Sequence, residues 1–245
     1  MSKGVIFDLD GTIYYGNELI PFALETIDSL VKNGYEVIFF TNNSTKTRLE
    51  ILQKLQKFGI KSELGKIYTS SFATAKYLND NDIKRVFLIG SIGFQEELDN
   101  FEIEIVHSHD VEAVVVGLDV EFNYYKISKA LEAINYGAKL IVSNKDKNYP
   151  IENGILRPGC NSMVDAILGS CDNKIDVDYL VGKPNTYLLK SICKDWNLDK
   201  NLIYVIGDSE ESDIAMANNF GVKSVLVGSN SKNKLEDIIN IIQGS

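Results

Sequence analysis

The sequence has few of the features that mark secreted or membrane-bound proteins. It has three cysteines in 245 residues, Cys160, Cys171 and Cys193, and no CxxC pair. An odd number at irregular spacing does not suit a disulfide framework and fits a reducing compartment. No run approaches the roughly 18 apolar residues that a membrane-spanning helix needs. Residues 1–4 lead into a strand-like segment instead of a signal peptide. We therefore expect a soluble, cytoplasmic protein.

The sequence also has fewer positively charged residues than negatively charged ones. The chain has 25 Lys and Arg residues against 34 Asp and Glu residues, and its net charge is −9 at pH 7. Such a field repels polyanions, so we expect neither nucleic acid nor an anionic membrane as a partner. The same field repels small phosphorylated molecules. A phosphate site in this chain would therefore need local cations.

Short β-rich runs alternate with helical periods along the chain. This rhythm predicts an α/β fold with a mainly parallel sheet. The predicted strands are residues 5–7, 36–40, 67–69, 86–89, 113–116, 139–142, 179–182, 202–206 and 222–227. The predicted helices are residues 23–32, 45–58, 72–78, 124–135, 185–195 and 212–219, with one more at the C-terminus.

Two polar, turn-prone stretches interrupt the alternation, at residues 79–82 and 170–178. Stretches of this kind are typical of domain boundaries. They predict one domain made of residues 1–79 and 179–245, with residues 80–178 inserted into it as a second domain.

Polar residues follow several of the predicted strands. Asp8 and Asp10 come after the first strand, Thr41 after the second, and Lys183 and Asp208 after two later ones. Open parallel sheets bind ligands at the carboxyl ends of their strands, so these side chains are candidates for one site. Residues i and i+2 of an extended chain face the same side, which lets Asp8 and Asp10 address one ligand.

The charges at these strand ends suit a phosphate site in an acidic protein. Asp208 and Asp213 lie at the start of a helix, where carboxylates could hold a hard divalent ion. Lys183 supplies the local positive charge. Each motif alone also has a structural explanation: Asp-Gly forms turns, Thr-Asn-Asn caps helices, and acidic residues complement a helix dipole. Four motifs in this order, each after a hydrophobic strand, favour a functional site.

These motifs give the chain a clear resemblance to one group of enzymes. It resembles the haloacid dehalogenase (HAD) superfamily of phosphohydrolases, in its NagD-type and 4-nitrophenylphosphatase-like branch. The matching runs are Asp8-Leu9-Asp10-Gly11-Thr12, Thr41-Asn42-Asn43, Gly182-Lys183-Pro184, Gly207-Asp208 with Asp213, Val116-Gly117-Leu118-Asp119, Ser143-Asn144-Lys145-Asp146 and Pro158-Gly159. The resemblance implies a Rossmann-like parallel-sheet core, residues 1–79 and 179–245, with an inserted α/β cap of the C2 type, residues 80–178.

The resemblance also implies a chemistry. The chain would be a Mg²⁺-dependent hydrolase of small phosphomonoesters, with Asp8 attacking phosphorus to form an aspartyl phosphate. Asp10 would act as general acid and then as general base. Thr41 and the amide of Asn42 would bind phosphoryl oxygens, and Lys183 would bridge Asp8 and the phosphoryl group.

The remaining site residues are likewise implied by the resemblance. Mg²⁺ would be held by Asp8, the backbone carbonyl of Asp10 and Asp208, with Asp213 in the coordination sphere or just behind it. The candidates for contact with substrate are Asn42, Asn43, Asp119, Asn144, Lys145, Asp146 and Asn161, and a polar or sugar-like leaving group suits them. The alternative that Asn144 and Asp146 only shape a turn of the cap carries equal weight.

Other functions remain open from the residues alone. A phosphotransferase or mutase would pass the same aspartyl phosphate to a second substrate. A signalling receiver also uses a strand-end Asp, a Thr and a Lys, but it would lack the acid at Asp10 and the cap. Nucleotides, sugar phosphates, pyridoxal phosphate and phosphoglycolate are all candidate substrates. Caps of this type can mediate dimers, so a homodimer formed through the cap is a further expectation.

Overall fold

The computed structural model describes residues 1–150, 155–172, 175–228 and 231–244. Residues 173 and 174, part of the predicted boundary at 170–178, lie outside the described residues. The strands are β1 (Ser2–Phe7), β2 (Tyr14–Tyr15), β3 (Glu18–Leu19), β4 (Glu36–Thr41), β5 (Ile67–Thr69), β6 (Arg85–Ile89), β7 (Glu104–Ile105), β8 (Ala113–Val116), β9 (Lys139–Val142), β10 (Asn148–Pro150), β11 (Leu156–Pro158), β12 (Tyr179–Leu180), β13 (Leu198–Gly207) and β14 (Lys223–Leu226).

The helices lie between these strands. They are α1 (Ala23–Lys32), α2 (Arg48–Lys57), α3 (Ser70–Asp80), α4 (Ile92–Asp99), α5 (Tyr124–Asn135), α6 (Cys160–Leu168), α7 (Tyr187–Asp195), α8 (Ala215–Phe220) and α9 (Ile238–Gln243). A π-helical turn, Glu210–Ile214, precedes α8. Side chains that cap helices explain several starts: Thr69 accepts from the Phe72 amide at α3, and Asn123 accepts from the Lys126 amide at α5. Within the described residues, no helix is long and apolar enough to cross a membrane.

The chain divides into two compact units. The first consists of Met1–Thr41, Leu49–Tyr68 and Lys183–Ser245, and the second of Asn42–Arg48 and Thr69–Gly182. The assignment of the predicted domains, residues 1–79 with 179–245 and residues 80–178, as core and cap stays a prediction.

The first sheet has the strand order β14-β13-β1-β4-β5. Strand β1 pairs in parallel with both β13 and β4, and β13 pairs in parallel with β14. Residues Val5–Phe7 are fully buried, as expected for a central strand covered on both faces. The apolar core of this unit includes Phe7, Ile27, Leu30 and Phe39.

The second sheet, in the other unit, has the strand order β12-β9-β8-β6-β7, and all of its pairings are parallel. Its apolar core includes Phe87, Val114, Leu140, Val164 and Ile167. Two antiparallel pairs, β2 with β3 and β10 with β11, lie outside the two sheets. The predicted α/β class with a mainly parallel sheet is confirmed.

Several element boundaries differ from the predicted ones for local reasons. The helix predicted from residue 45 begins at Arg48, because the Asn43 side chain accepts from the amides of Thr45 and Lys46 and forms a turn there. The helix predicted from residue 185 begins at Tyr187, whose amide donates to the Asn185 side chain. Periodicity did not predict α4, α6 or the short strands β2, β3, β7, β10 and β11, and it missed the π-helical turn.

Candidate active site

Three neighbouring strands of the first sheet bring their carboxyl ends to one edge. Phe7 of β1 lies opposite Ile206 of β13 and opposite Phe39 of β4. Asp8 follows β1, Thr41 is the last residue of β4, and Asp208 follows β13. Because β1 lies between the other two strands, the strand order places these predicted site residues beside one another.

Lys183 links two of the carboxylates at this edge. Its Nζ donates to Asp8 Oδ1 at 2.5 Å and to Asp213 Oδ1 at 2.7 Å. It also donates to the backbone carbonyl of Phe40 at 3.2 Å. Lys183, Asp8 and Asp213 are all buried. The Lys183 ammonium, with its three donors, thus has three acceptors, and it is a local cation of the kind that a phosphate site in this acidic chain would need.

Asp213 reaches the cluster from the π-helical turn. Its Oδ2 accepts from the backbone amide of Ser209 at 3.2 Å, while the Ser209 side chain caps the same turn by accepting from Ser212 N. Together with Asp8 and Asp208, it offers carboxylate oxygens that all lie within 4.8 Å of one another. Three carboxylates at this spacing form a donor set that suits a hard divalent cation such as Mg²⁺.

Burial, together with the neighbouring carboxylates, raises the pKa of two of these carboxyls. Burial raises the pKa of Asp8 well above its ordinary value; the Lys183 ammonium opposes this rise, and Asp213 and Asp208 add to it. Burial and the neighbouring Asp213 raise the pKa of Asp208 to about 6. Burial by itself lowers the pKa of Lys183, but Asp213 and Asp8 raise it above its ordinary value. One ammonium therefore does not balance the three carboxylates, and the donor set fits a further cation.

Asp10 has different surroundings from Asp8. It lies exposed at the start of the loop after β1. Desolvation by the surrounding protein raises the pKa of its carboxyl, while the charges of Lys54 and Lys183 and a hydrogen bond from the Thr41 hydroxyl lower it. An exposed carboxyl with a raised pKa can exchange protons with a ligand, which is what a general acid–base requires.

Sequence reasoning missed Lys54, which acts on Asp10 from α2. Its Nζ lies 3.5 Å from the centre of the Tyr14 ring, and Tyr14 is buried. Lys54 is one of two lysines on the amphipathic helix α2, the other being Lys57, so no local signal distinguishes it in the sequence.

Two glycines allow the close approach of the carboxylates. Gly11 has a φ of +91°, and a Cβ there would collide with the carboxylate of Asp208. A Cβ on Gly207 would collide with the carboxyl group of Asp213. The Asp-x-Asp-Gly and Gly-Asp motifs thus have a steric basis in addition to their chemistry.

The predicted substrate-binding residues lie in the second unit, where several of them bond to one another. Asn42 Nδ2 donates to Asp146 Oδ1 at 3.0 Å, and Asn144 Nδ2 donates to the Asn42 carbonyl at 3.0 Å. Asn43 forms the turn that precedes α2. Asn42 and Asn144 are buried.

The other predicted substrate contacts have different surroundings. Asp119 is buried; its carboxylate accepts from Lys126 Nζ at 2.5 Å and from the Glu121 amide at 2.9 Å. Asn161 Nδ2 donates to Asp165 at 2.7 Å. Lys145 is exposed. Contact of these residues with a substrate stays a prediction.

Comparison with protein families gives two matches that together cover both ends of the chain. A family model described as haloacid dehalogenase-like hydrolase matches residues 5–104. A second model, HAD-hydrolase-like, matches residues 180–240. The first match includes Asp8, Asp10 and Thr41, and the second includes Lys183 and Asp208.

Curated relatives cover nearly the whole chain. Phosphoglycolate phosphatase 1A of Arabidopsis thaliana, a chloroplastic protein, is 35% identical over 97% of this chain and 72% of its own length. An acid sugar phosphatase of Staphylococcus epidermidis is 33% identical over 92% of this chain and 86% of its own length.

Solved structures agree with the sequence comparisons. A p-nitrophenyl phosphatase from Archaeoglobus fulgidus superposes with a TM-score of 0.87 at 30% identity, over 99% of this chain and 92% of that one. A glycerol phosphate phosphatase from Mycobacterium tuberculosis, solved in complex with magnesium, gives a TM-score of 0.85 at 27% identity, over 94% of this chain and 70% of that one.

Proposed function

Because the chain belongs to the haloacid dehalogenase-like hydrolases and is a phosphatase of their NagD and 4-nitrophenylphosphatase branch, we propose that it hydrolyses small phosphomonoesters through an aspartyl phosphate on Asp8, with Mg²⁺ as cofactor. The observation that carries this proposal is the buried group of Asp8, Lys183 and Asp213, with Asp208 beside it. This group offers a nucleophile, a fixed cation and a metal-binding donor set at one sheet edge.

The first half-reaction forms the covalent intermediate. An oxygen of Asp8 forms a bond to phosphorus while the bond from phosphorus to the leaving oxygen breaks. Asp10 gives its proton to that oxygen, so the product leaves as a neutral alcohol. Lys183 holds Asp8 in place and offsets the negative charge brought together, and Thr41 binds a phosphoryl oxygen.

The second half-reaction releases phosphate. A water molecule attacks phosphorus, Asp10 accepts one of its protons, and the bond between phosphorus and Asp8 breaks. Inorganic phosphate leaves, Asp8 is again a carboxylate and Asp10 is again protonated. Splitting the displacement in two is the advantage of nucleophilic catalysis, and one residue serves as acid and then as base.

The residues that would hold Mg²⁺ are Asp8, Asp208 and Asp213, together with the backbone carbonyl of Asp10. When bound, the ion supplies charge stabilisation at the phosphoryl oxygens. The presence of magnesium in the related glycerol phosphate phosphatase supports this choice of ion. An acidic, oxygen-rich donor set supports it as well.

We further propose a small polar metabolite as the substrate, in the class of sugar phosphates or phosphoglycolate. The names of the relatives support this class, because they include a phosphoglycolate phosphatase and an acid sugar phosphatase. The second unit, with Asp119, Lys145, Asp146 and Asn161, would select the leaving group. Cytoplasmic location, the exclusion of nucleic acid and membranes, and a homodimer formed through the cap remain part of the proposal.

The test is the Asp8→Asn variant, assayed with a panel of phosphomonoesters and Mg²⁺ by release of inorganic phosphate. Removal of a nucleophile typically costs several orders of magnitude, so we expect kcat to fall by about 10³-fold or more. Asp28→Asn, a change of an exposed acid on α1, is the matched control and should retain full activity. If Asp8→Asn kept near-parental turnover, Asp8 would not be the nucleophile. If the substrate lost its phosphoryl group only when an acceptor was present, and that group was recovered on the acceptor instead of as inorganic phosphate, the enzyme would be a phosphotransferase.

A further inference from the structure

The residues that follow β9 form hydrogen bonds with the first and the last residue of the second unit, Asn42 and Gly182. Ser143 and Asn144 follow β9 directly and are buried. The second unit consists of Asn42–Arg48 and Thr69–Gly182, so its first residue directly follows Thr41 and its last residue directly precedes Lys183. Asn144 bonds to Asn42, and Ser143 bonds to Gly182. The two bonds therefore hold the immediate chain neighbours of Thr41 and Lys183.

The side chain of Asn144 has its hydrogen-bonding groups engaged within the unit. Its Nδ2 donates to the Asn42 carbonyl at 3.0 Å and to Ser143 Oγ at 3.2 Å. Its Oδ1 accepts from the Asp146 amide at 3.2 Å. A side-chain amide has two N–H donors, and both are used here. A leaving group would have to displace one of these bonds in order to take a donor from Asn144.

The Asn42 carbonyl is held from two directions. Asn144 donates to it from the end of β9, and Ser70 Oγ donates to it from the first residue of α3 at 2.7 Å. The Asn42 side chain is held as well, by Asp146. Both donors and the carbonyl are buried, so the loss of either bond would not be made good by bulk water.

Gly182 is packed tightly against the same residues. Its amide donates to the Ser143 carbonyl at 2.8 Å. A Cβ on Gly182 would collide with that carbonyl and would lie 2.7 Å from Asn42 Oδ1. The residues that adjoin Thr41 and Lys183 in the chain are thus packed against one another around Ser143.

We propose that Asn144, together with Ser143, is a positioning residue for phosphoryl transfer: it holds the peptides that adjoin Thr41 and Lys183 and does not select the leaving group. This inference rests on the proposed function, because it takes Thr41 and Lys183 as the residues that bind the phosphoryl group. The proposal gives Asn144 a different role from that of the residues expected to contact the leaving group.

The proposal makes a kinetic distinction between two roles. A residue that contacts the leaving group changes the ratio of kcat/KM between substrates. A residue that positions the phosphoryl-binding groups changes turnover on every substrate by a similar factor, and it changes the affinity for inorganic phosphate, which has no leaving group. A displacement of about 1 Å in such groups can cost up to about 10²-fold in rate.

The experiment compares Asn144→Ala with the parent protein on p-nitrophenyl phosphate, phosphoglycolate and a hexose phosphate, with saturating Mg²⁺. Inorganic phosphate serves as a competitive inhibitor. We expect kcat to fall at least about tenfold on all three substrates and the inhibition constant of phosphate to rise about tenfold. We expect the ratios of kcat/KM between substrates to stay within about threefold of the parental values.

A second variant removes the other hydrogen bond to the Asn42 carbonyl, which comes from α3. Ser70→Ala deletes the other donor to the Asn42 carbonyl, and it should weaken phosphate inhibition and lower kcat in the same uniform way. Asn123→Ala is the control, since it removes the helix cap of α5 in the same unit without touching Asn42. It should lower the melting temperature and leave kcat and phosphate inhibition unchanged. If Asn144→Ala did not fold, Ser70→Ala would decide the question.

Two results would overturn the inference. One is a change of more than about tenfold in substrate ratios with unchanged phosphate inhibition, which would make Asn144 a specificity residue. The other is a folded Asn144→Ala or Ser70→Ala variant with parental kcat and phosphate inhibition. Neither result would affect the assignment of Asp8, which the Asp8→Asn variant tests by itself.

Discussion

At the scale of single residues, Lys183 is a buried charge in the first unit whose environment depends on its neighbours. It is buried with two carboxylates, Asp8 and Asp213, and their attraction outweighs the burial that by itself lowers its pKa. A buried pair of this kind adds little stability compared with apolar residues, but removal of one partner leaves an uncompensated buried charge. Lys183 therefore compensates the buried charges of Asp8 and Asp213, in addition to the role proposed for it in phosphoryl transfer.

The Lys183→Met variant tests this dependence. It should lose phosphatase activity, and in metal-free buffer its free energy of unfolding should fall by about 3–5 kcal/mol, because Asp8 and Asp213 lose their shared cation. Added Mg²⁺ should restore part of that stability. Lys76→Met, which removes an exposed ion pair with Asp80 on α3, is the control and should change the free energy by less than about 0.5 kcal/mol. A denaturant titration with and without Mg²⁺ makes the measurement; parental stability without metal would contradict the argument.

At the scale of elements, the turn after β1 decides whether the carboxylates can meet. Strand β1 delivers Asp8 to the sheet edge, and the chain must then turn closely past Asp208 on the neighbouring strand end. Gly11 permits this by its positive φ and by its lack of a Cβ. The conformation of the turn after β1 and the position of Asp208 at the end of β13 therefore depend on each other.

Gly11→Ala should disturb metal binding beyond its effect on the backbone. The added methyl group would displace the Asp208 carboxylate, so we expect the Mg²⁺ concentration for half-maximal activity to rise at least about tenfold. Gly137→Ala is matched for strain, since Gly137 has a φ of +96° but has open space around its Cβ position. It should lower stability by about 1–3 kcal/mol and leave Mg²⁺ activation unchanged. Equal Mg²⁺ activation curves for both variants would show that Asp208 is not displaced.

At the scale of the whole molecule, charge and architecture act in different ways. Each of the two units has its own parallel sheet and its own apolar core. The net charge of −9 is a property of the entire chain and repels anionic substrates on approach. Local cations such as Lys183 act only at short range.

The dependence of kcat/KM on ionic strength should show whether the net charge of the chain repels the substrate. With Mg²⁺ kept saturating, a rise from about 10 to about 150 mM salt should increase kcat/KM by about two- to fivefold, because salt screens the repulsion. The increase should be larger for phosphoglycolate, which carries an extra carboxylate, than for p-nitrophenyl phosphate. Initial rates at low substrate concentration make the measurement. A decrease for both substrates would mean that local cations dominate the approach.

The sequence by itself determined the fold class and predicted the residues of the candidate site. Buried runs such as residues 5–7 and 36–40 can be recognised in the sequence because strand formation depends on local hydrophobicity. A polar residue directly after such a run indicates where the strand ends. Asp8, Thr41, Lys183 and Asp208 were predicted in this way. Caps formed by side chains were harder to read, so the start of α2 at Arg48 was missed.

Only the tertiary structure decided which of these residues meet. The strand order β13-β1-β4 brings Asp208 beside Asp8, and the π-helical turn brings Asp213 to Lys183. The bond from Asn144 to the Asn42 carbonyl joins positions 102 residues apart in the chain. Such contacts depend on which strands become neighbours, and this follows from the packing of the whole unit. A local sequence pattern therefore does not contain them.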